Sequence, residues 1–195
     1  MICEQFIDFV KQVVPSVREE IAEDLKEWIR QTGKNIEYES YYSYEQNDLI
    51  QGDVIDGIKF ILIDKNGKLF VTPKMKAMIM STSCDIAQDN NITLCPLFEN
   101  SDLNQSALYD VKHNIKYDTF YINSEAIKDC HVKFSVSNTV DKEFIYTALK
   151  EGKIKKIFTM NMLTYYLFLV KLTIHYMRIE DDEVKGLRKT KNSNI

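Results

Sequence analysis

The strongest constraint on this 195-residue chain is the pair Asn66-Gly67, flanked by Lys65 and Lys68 and set between two apolar runs. The favoured two-residue hairpin loop needs positive φ at both central positions, which Asn and Gly adopt with little strain. The dipeptide therefore predicts a tight hairpin, with Ile58 to Ile63 on one side and Leu69, Phe70 and Val71 on the other. Its surroundings extend the pattern. Gly52-Asp53-Val54-Ile55 leads in, Pro73 ends the returning strand, and Ala77 to Met80 reads as a buried strand. Asp89-Asn90-Asn91 reads as a turn, and Ile92 to Leu97 as the next strand. A compact antiparallel β unit from about Gly52 to Phe98 results.

Helical patterns flank this unit. Phe6, Ile7, Phe9, Val10, Val13 and Val14 recur at helical spacing before Pro15. Ser16 with Glu19 then forms a capping-box signature for a second helix, which Gly33 ends. Residues 37–47 are tyrosine-rich and polar. They read as a connector over the core, or as an aromatic platform with Tyr41 and Tyr42 as binding residues. Beyond Asn100, the β-formers between Tyr109 and Ile122 suggest one or two strands, and Val132 to Val136 a further one. Glu143 to Lys150 reads as a helix ending at Gly152, followed by a long helix from about Met160 to Ile179. The expected layout is one domain over 1–195: a helical part (1–34), a β core (47–136), C-terminal helices (140–180) and a polar tail (181–195).

The formal net charge of −4 and the pI near 5.5 disfavour nucleic-acid binding as the main role. The local lysine groups, at Lys150 to Lys156 and Lys185 to Lys191, read as solvated helix ends and tail. Cys3, Cys84, Cys95 and Cys130 show no paired spacing. Met1 to Val14 carries Glu4, Asp8 and Lys11 within its apolar pattern, unlike a secretory leader. Reduced thiols and a cytoplasmic location are expected. The apolar stretch Ile157 to Met177 contains Asn161, Thr164, Lys171, His175 and Arg178 along one helical face, interrupted by Phe168. That stripe predicts an amphipathic core helix with a polar outer face, so no membrane partner is expected.

The segment richest in chemistry is Ser81-Thr82-Ser83-Cys84-Asp85, where an apolar strand runs into hydroxyls, a thiol and a carboxylate. As a nucleophile, Cys84 would need His113, His131 or His175 brought beside it. A small buried hydrophobe is the plainer reading of Cys84. Cys84, Asp85, Cys95, Cys130 and His131 contain no closely spaced pair of the kind that marks zinc sites, so no metal or other cofactor is expected. Asp85 and the hydroxyls suit a further role, satisfying local backbone N–H groups.

The succession of Gly52-Asp53-Val54-Ile55, a hairpin, Lys76-Ala77-Met78-Ile79-Met80-Ser81 and Ile92-Thr93-Leu94-Cys95-Pro96-Leu97 resembles the PemK/MazF-like family over about 50 residues. The resemblance implies a small SH3-like barrel, and family members are toxin ribonucleases. The family's Arg-Pro pair corresponds here to Met75-Lys76, with Lys74 beside it, and no arginine occurs between Arg30 and Arg178. Lysine does not reproduce the two-point phosphate contact of a guanidinium. The family's catalytic Thr or Ser corresponds roughly to Phe98, with Ser101 displaced. The Ser81 to Asp85 run also resembles uncharacterised bacterial and phage proteins carrying a Ser-x-Ser-Cys-Asp segment, whose terminal helix ends near a His/Arg pair similar to His175 and Arg178.

The resulting expectation is an α+β protein: a small antiparallel SH3-like β-barrel or bent sheet, flanked by N-terminal helices and a long C-terminal helix. Its expected role is a non-catalytic binding or adaptor component of a bacterial defence or toxin–antitoxin-like system. The expected partner is a protein such as an ATPase, nuclease or antitoxin from the same operon, with Ser81, Thr82, Ser83, Asp85, Tyr41 and Tyr42 as contact residues. Two alternatives stand beside it. One is a divergent metal-independent ribonuclease using Lys74 or Lys76 with Ser81, Ser83 or Asp85. The other is a cysteine-dependent hydrolase using Cys84.

Overall fold

The computed structural model describes residues 48–122 and 124–176, apart from the side chains of residues 162 and 163. The expected helices of residues 1–34, the connector with Tyr41 and Tyr42, and the polar tail lie outside the described residues. The strands are β1 (Val54–Ile58), β2 (Ile61–Ile63), β3 (Leu69–Val71), β4 (Met75–Ile79), β5 (Asn91–Glu99), β6 (Thr119–Tyr121), β7 (Cys130–Lys133), β8 (Asn138–Asp141) and β9 (Lys155–Phe158). Among the described residues four helices accompany them: α1 (Ser83–Gln88), α2 (Gln105–Lys112), α3 (Lys142–Lys150) and α4 (Met162–Tyr176). The protein is thus α+β with an antiparallel sheet.

Seven strands form one sheet in the order β6-β7-β5-β4-β1-β9, with β8 also pairing β5. Strand β5 changes partner along one edge. Its first half pairs β8 (Ile92↔Val140) and its second half pairs β7 (Leu97↔Val132), while β4 lies along the other edge. Such a switch bends the sheet. Among the described residues the strand path runs open from β6 to β9 and does not close into a barrel.

Alternation along the strands separates two cores. Val54, Met78, Cys95, Leu97 and Val132 face one side and pack with Leu167 and Phe168 of α4. Ile55, Ala77, Ile79, Ile92 and Leu94 face the other and pack with Ile145 and Ala148 of α3 and Ile86 of α1. Both faces being covered explains why Ala77-Met78-Ile79-Met80 is unbroken apolar sequence. Each buried Val, Leu, Ile, Met or Phe among them contributes roughly 1.5–3 kcal/mol by its removal from water, and the alanines less.

Several expectations are corrected. The run Ile58 to Ile63 is divided: β1 ends at Ile58, and β2 begins at Ile61 in a separate two-stranded sheet with β3. The cause is a bulge at Gly57, where φ is +103° and a Cβ would stand 2.9 Å from the Lys153 carbonyl oxygen. Residues 105–112 are helix rather than strand, because Asn104 caps the Ala107 N–H at 2.9 Å and Leu108 and Val111 turn inward. Only Thr119–Tyr121 of that region is a strand.

The polar stripe of α4 also faces inward rather than outward. Thr164, Phe168 and Lys171 are all buried. The Lys171 ammonium is accepted by the main-chain carbonyls of Asn114 and Lys116, so a loop supplies the partners that water was expected to supply. No helix among the described residues is long and apolar enough to cross a membrane.

Candidate functional site

Strand β4 is buried from Ala77 to Ile79, and the expected chemistry lies at its two ends. At its C-terminal end the hydroxyl run is engaged in building local structure. Ser81 Oγ accepts the Thr93 N–H at 2.9 Å and Ser83 Oγ accepts the Gln51 N–H at 3.2 Å. Thr82 caps α1 by accepting the Asp85 N–H at 3.2 Å. The capping role expected of Asp85 thus belongs to Thr82, and Asp85 is an exposed first-turn residue, where its charge suits the helix dipole.

This end is tied to β1 and α4. Gln51 is buried, donates from Nε2 to the Met80 carbonyl at 2.8 Å and accepts the Tyr165 hydroxyl at 2.9 Å. Gly52 holds φ at +88°, and a Cβ there would lie 2.9 Å from Met160 Sδ. Asp53 is fully buried; its Oδ2 accepts the Ile50 N–H at 3.0 Å and pairs with Lys156 Nζ at 2.9 Å. Its Oδ1 has no hydrogen-bond partner among the described residues.

Cys84 is exposed on α1, not buried as its position after an apolar strand implied. Among the described residues none of the three histidines is brought to it. His113 stacks on Tyr109, His131 bonds to Asn100, and His175 packs against Tyr117 and Phe134. Its titratable neighbour is Tyr165, whose hydroxyl burial pushes up, with further raising by Tyr166 and Cys84. The thiol therefore has no imidazole base of the kind a nucleophilic cysteine uses.

The N-terminal end of β4 gathers groups far apart in sequence. Lys74 is exposed, whereas Lys76 is half-buried, donating to the Ile127 carbonyl at 2.9 Å with Cys130 Sγ 4.0 Å away. Nearby runs a hydrogen-bonded chain. His131 Nδ1 donates to Asn100 Oδ1 at 2.7 Å, and Asn100 Nδ2 donates to Asp129 Oδ1 at 3.0 Å. Lys112 Nζ pairs with the same Asp129 oxygen at 3.0 Å, and Tyr121 reaches it at 3.5 Å. A carboxylate can only accept, which fixes the amide orientation and places the ring proton of His131 on Nδ1.

Each titration at this end has a physical cause. Burial holds His131 below the ordinary histidine range, helped by Lys133 and Lys116 and opposed by Asp118. Burial alone would raise Asp129, but its bonds from Asn100 and Lys112 and the Lys112 charge outweigh this and lower it. Burial raises Cys130 despite the Lys76 charge, and pushes Cys95 up to about 12. Cys130 and Cys95 are protonated thiols at neutral pH.

The structure thus brings Ser81, Thr82 and Ser83 together as supports of the β1–β4 corner, and places Lys76 at the opposite end. Phe98 lies across from His131, with ring centroids 6.1 Å apart, and Ser101 sits in the 3-10 turn Asn100–Asp102, bonded to Asp102. Among the described residues no group of three His, Cys, Asp or Glu side chains is arranged to hold a metal ion. Asn100, Lys112, Tyr121 and Asp129 were missed by sequence reasoning. The contiguous Asp129-Cys130-His131 triplet and the Asn directly after β5 were the signals available.

The third feature is the β2–β3 ribbon. Its root is anchored: Phe60 is buried, its N–H and carbonyl are bonded to Thr72, and the Ile61 N–H donates to Asn138 Oδ1 at 2.7 Å. Its tip is ordered by Asp64, whose Oδ1 accepts the N–H groups of Asn66 and Lys68. Between root and tip, Ile61 pairs with Val71 and Ile63 with Leu69 on one face. These four are 57%, 62%, 69% and 63% exposed. In comparisons with known proteins, no family model and no curated protein matches the chain.

Proposed function

We propose that this protein is a non-catalytic binding or adaptor component that acts through protein–protein contacts. One observation carries the reading. The hydroxyls and the lysine at the ends of β4 are engaged in structural hydrogen bonds, while a well-anchored ribbon leaves an apolar face open to solvent. A nucleophile or general acid–base pair needs a group free to meet substrate. A contact surface needs apolar area on an anchored support, and the ribbon has both.

We further infer a relation to SH3-like barrels of the PemK/MazF-like class at the level of the β unit. The bent sheet, with β5 passing from one partner to another, supports it. A cytoplasmic place in a bacterial defence or toxin–antitoxin-like system, with a partner such as an ATPase, nuclease or antitoxin, follows from that relation. The decisive test compares wild type with Ile63→Asp in affinity purification from the native host. Retention of the same partner by the variant overturns the ribbon's role.

Divergent metal-independent ribonuclease activity is the second reading, favoured by Lys76 bonding at Ile127 and Cys130, beside the connected His131–Asn100–Asp129 chain. Incubation with a mixed RNA ladder in EDTA decides it. Cleavage that is lost in Lys76→Ala, and in a Lys76→Ala, Asp85→Ala double variant, replaces the binding reading.

A further inference from the structure

The same chain carries a surface matched to its own ribbon. The apolar ribbon face is rimmed by exposed lysines: Lys59 and Lys65 along β2, Lys68 at the turn and Lys74 beyond β3. Between Ile58 and Lys74 the one acid, Asp64, is committed to the turn. On α3, an open groove of about 410 Å³ is lined by Asp141, Glu143, Phe144, Thr147, Glu151 and Lys153. Its rim is net acidic: Lys153 and Glu151 offset each other in an ion pair at 2.6 Å, which leaves Asp141 and Glu143 as the excess. Phe144, on that groove, is 55% exposed, so an apolar ring with acidic neighbours faces solvent. Basic-rimmed apolar ribbon and acidic-rimmed apolar groove are complementary in both respects.

The two surfaces lie on one flank. Ile61 at the ribbon root is bonded to Asn138 at the start of β8, and β8 ends at Asp141 on the groove rim. Gly57, where the chain departs toward the ribbon, abuts the Lys153 carbonyl. Adjacent complementary surfaces on one flank are what a two-fold pair requires, since each copy then presents both. The exposed ribbon residues leave on the order of 500 Å² of apolar surface open, a patch of the size that commonly marks a contact site.

From these observations we propose that the ribbon of one copy seats in the α3 groove of a second copy, in a two-fold dimer that makes the contact twice. The inference rests on the reading of the ribbon as a contact surface and names its occupant. Seated this way, the apolar face is covered by the second copy, the partner is met by the two identical outer surfaces that the dimer presents, and loss of the partner in Ile63→Asp follows from loss of that dimer.

The test is sedimentation velocity on the full chain over a micromolar to near-millimolar series. Two variants are used: a ribbon variant (Lys65→Glu, Lys68→Glu) and a groove variant (Glu143→Lys, Glu151→Lys). All four positions are exposed, and circular dichroism melts confirm that each variant folds. Wild type is expected to sediment as a dimer, and each variant alone as a monomer, its self-association weakened about 100-fold or more by like charges. Mixing the two variants restores complementarity at both seats, so a one-to-one heterodimer is expected. A wild type that stays monomeric throughout, or variants that remain monomers when mixed, overturns the proposal. The binding reading fails separately: RNA cleavage sinks it whatever the oligomeric state, and a monomeric wild type whose partner is lost in Ile63→Asp preserves it.

Discussion

Strand β4 and the β2–β3 ribbon are made of the same kinds of residue and differ almost completely in environment. Met78 and Ile79 are sealed between α4 and α3 with no exposed surface, whereas Ile63 and Leu69 stand mostly in solvent. The helices make the difference: among the described residues α3 and α4 each cover one face of the main sheet, while the ribbon face is exposed. Hydrophobicity in this chain therefore carries two meanings, and local sequence does not separate them. In β4 it holds the fold together, and in the ribbon it waits for something outside it.

The contrast gives graded predictions. The largest effect belongs to the buried strand: Ile79→Ala should destabilise by about 4 kcal/mol through lost burial and a cavity between β4 and α3. Urea unfolding reads it, and a loss below 1 kcal/mol would show that β4 is not the core strand it is taken to be.

Next is the corner beside it. Lys156→Ala leaves the Asp53 carboxylate buried without its cation and should cost about 3 kcal/mol. Adding Asp53→Asn should recover much of that loss, because a neutral amide needs no counter-charge. A double variant no better than the single one would break this account.

A smaller effect is acid sensitivity, and its sign follows from His131. Burial holds its folded-state pKa below the ordinary 6.5, so the unfolded chain binds a proton that the folded one refuses. Stability is full above about pH 6.5 and declines as pH falls toward the folded value. Asp129 acts lower down: its depressed carboxyl stabilises above the ordinary 3.8, and that contribution is lost on further acidification. Thermal melts between pH 7.5 and 5, which are on the order of one unit either side of the histidine midpoint, should flatten in His131→Gln. An unchanged slope would exclude His131 as the source.

The smallest expected change is in the ribbon. Leu69→Ser and Ile63→Ser should alter stability by less than about 0.5 kcal/mol, since neither removes a buried contact. Measured at low protein concentration, a much larger loss would mean that the ribbon's exposed face is covered within the monomer.

Much of the β unit was legible, and the reason is local. The hairpin at Asn66-Gly67, the apolar block at Ala77 to Met80 and the stretch from Glu143 to Gly152 each carry their own signal within a few residues. The hairpin loop is nevertheless longer than a two-residue turn, running from Asp64 to Lys68 with positive φ at Gly67 and not at Asn66. The failures have equally specific causes. Tyr109 and Val111 favour strands by propensity, but the Asn104 cap and the inward Leu108 and Val111 decided for a helix. Lys171 looked like a surface residue because its partners, the carbonyls of Asn114 and Lys116, belong to a distant loop. The chain from Lys112 through Asp129 and Asn100 to His131 spans four elements and has no spacing to read. In the Ser81 to Asp85 run the residues were noticed correctly, but their hydroxyls serve the backbone.

The pairing of β1 with β9 bears on the order of assembly. Val54 and Phe158 meet across about a hundred intervening residues, a closure much slower than the local hairpins that precede it. Until β9 docks, Asp53 has no cation and its burial is unfavourable. A nascent chain can build β1 to β5 as it emerges, but the corner cannot shut until Lys156 arrives. Arrival of β9 is then the committing step of folding, and a chain cut before Lys155 should remain collapsed but unfinished.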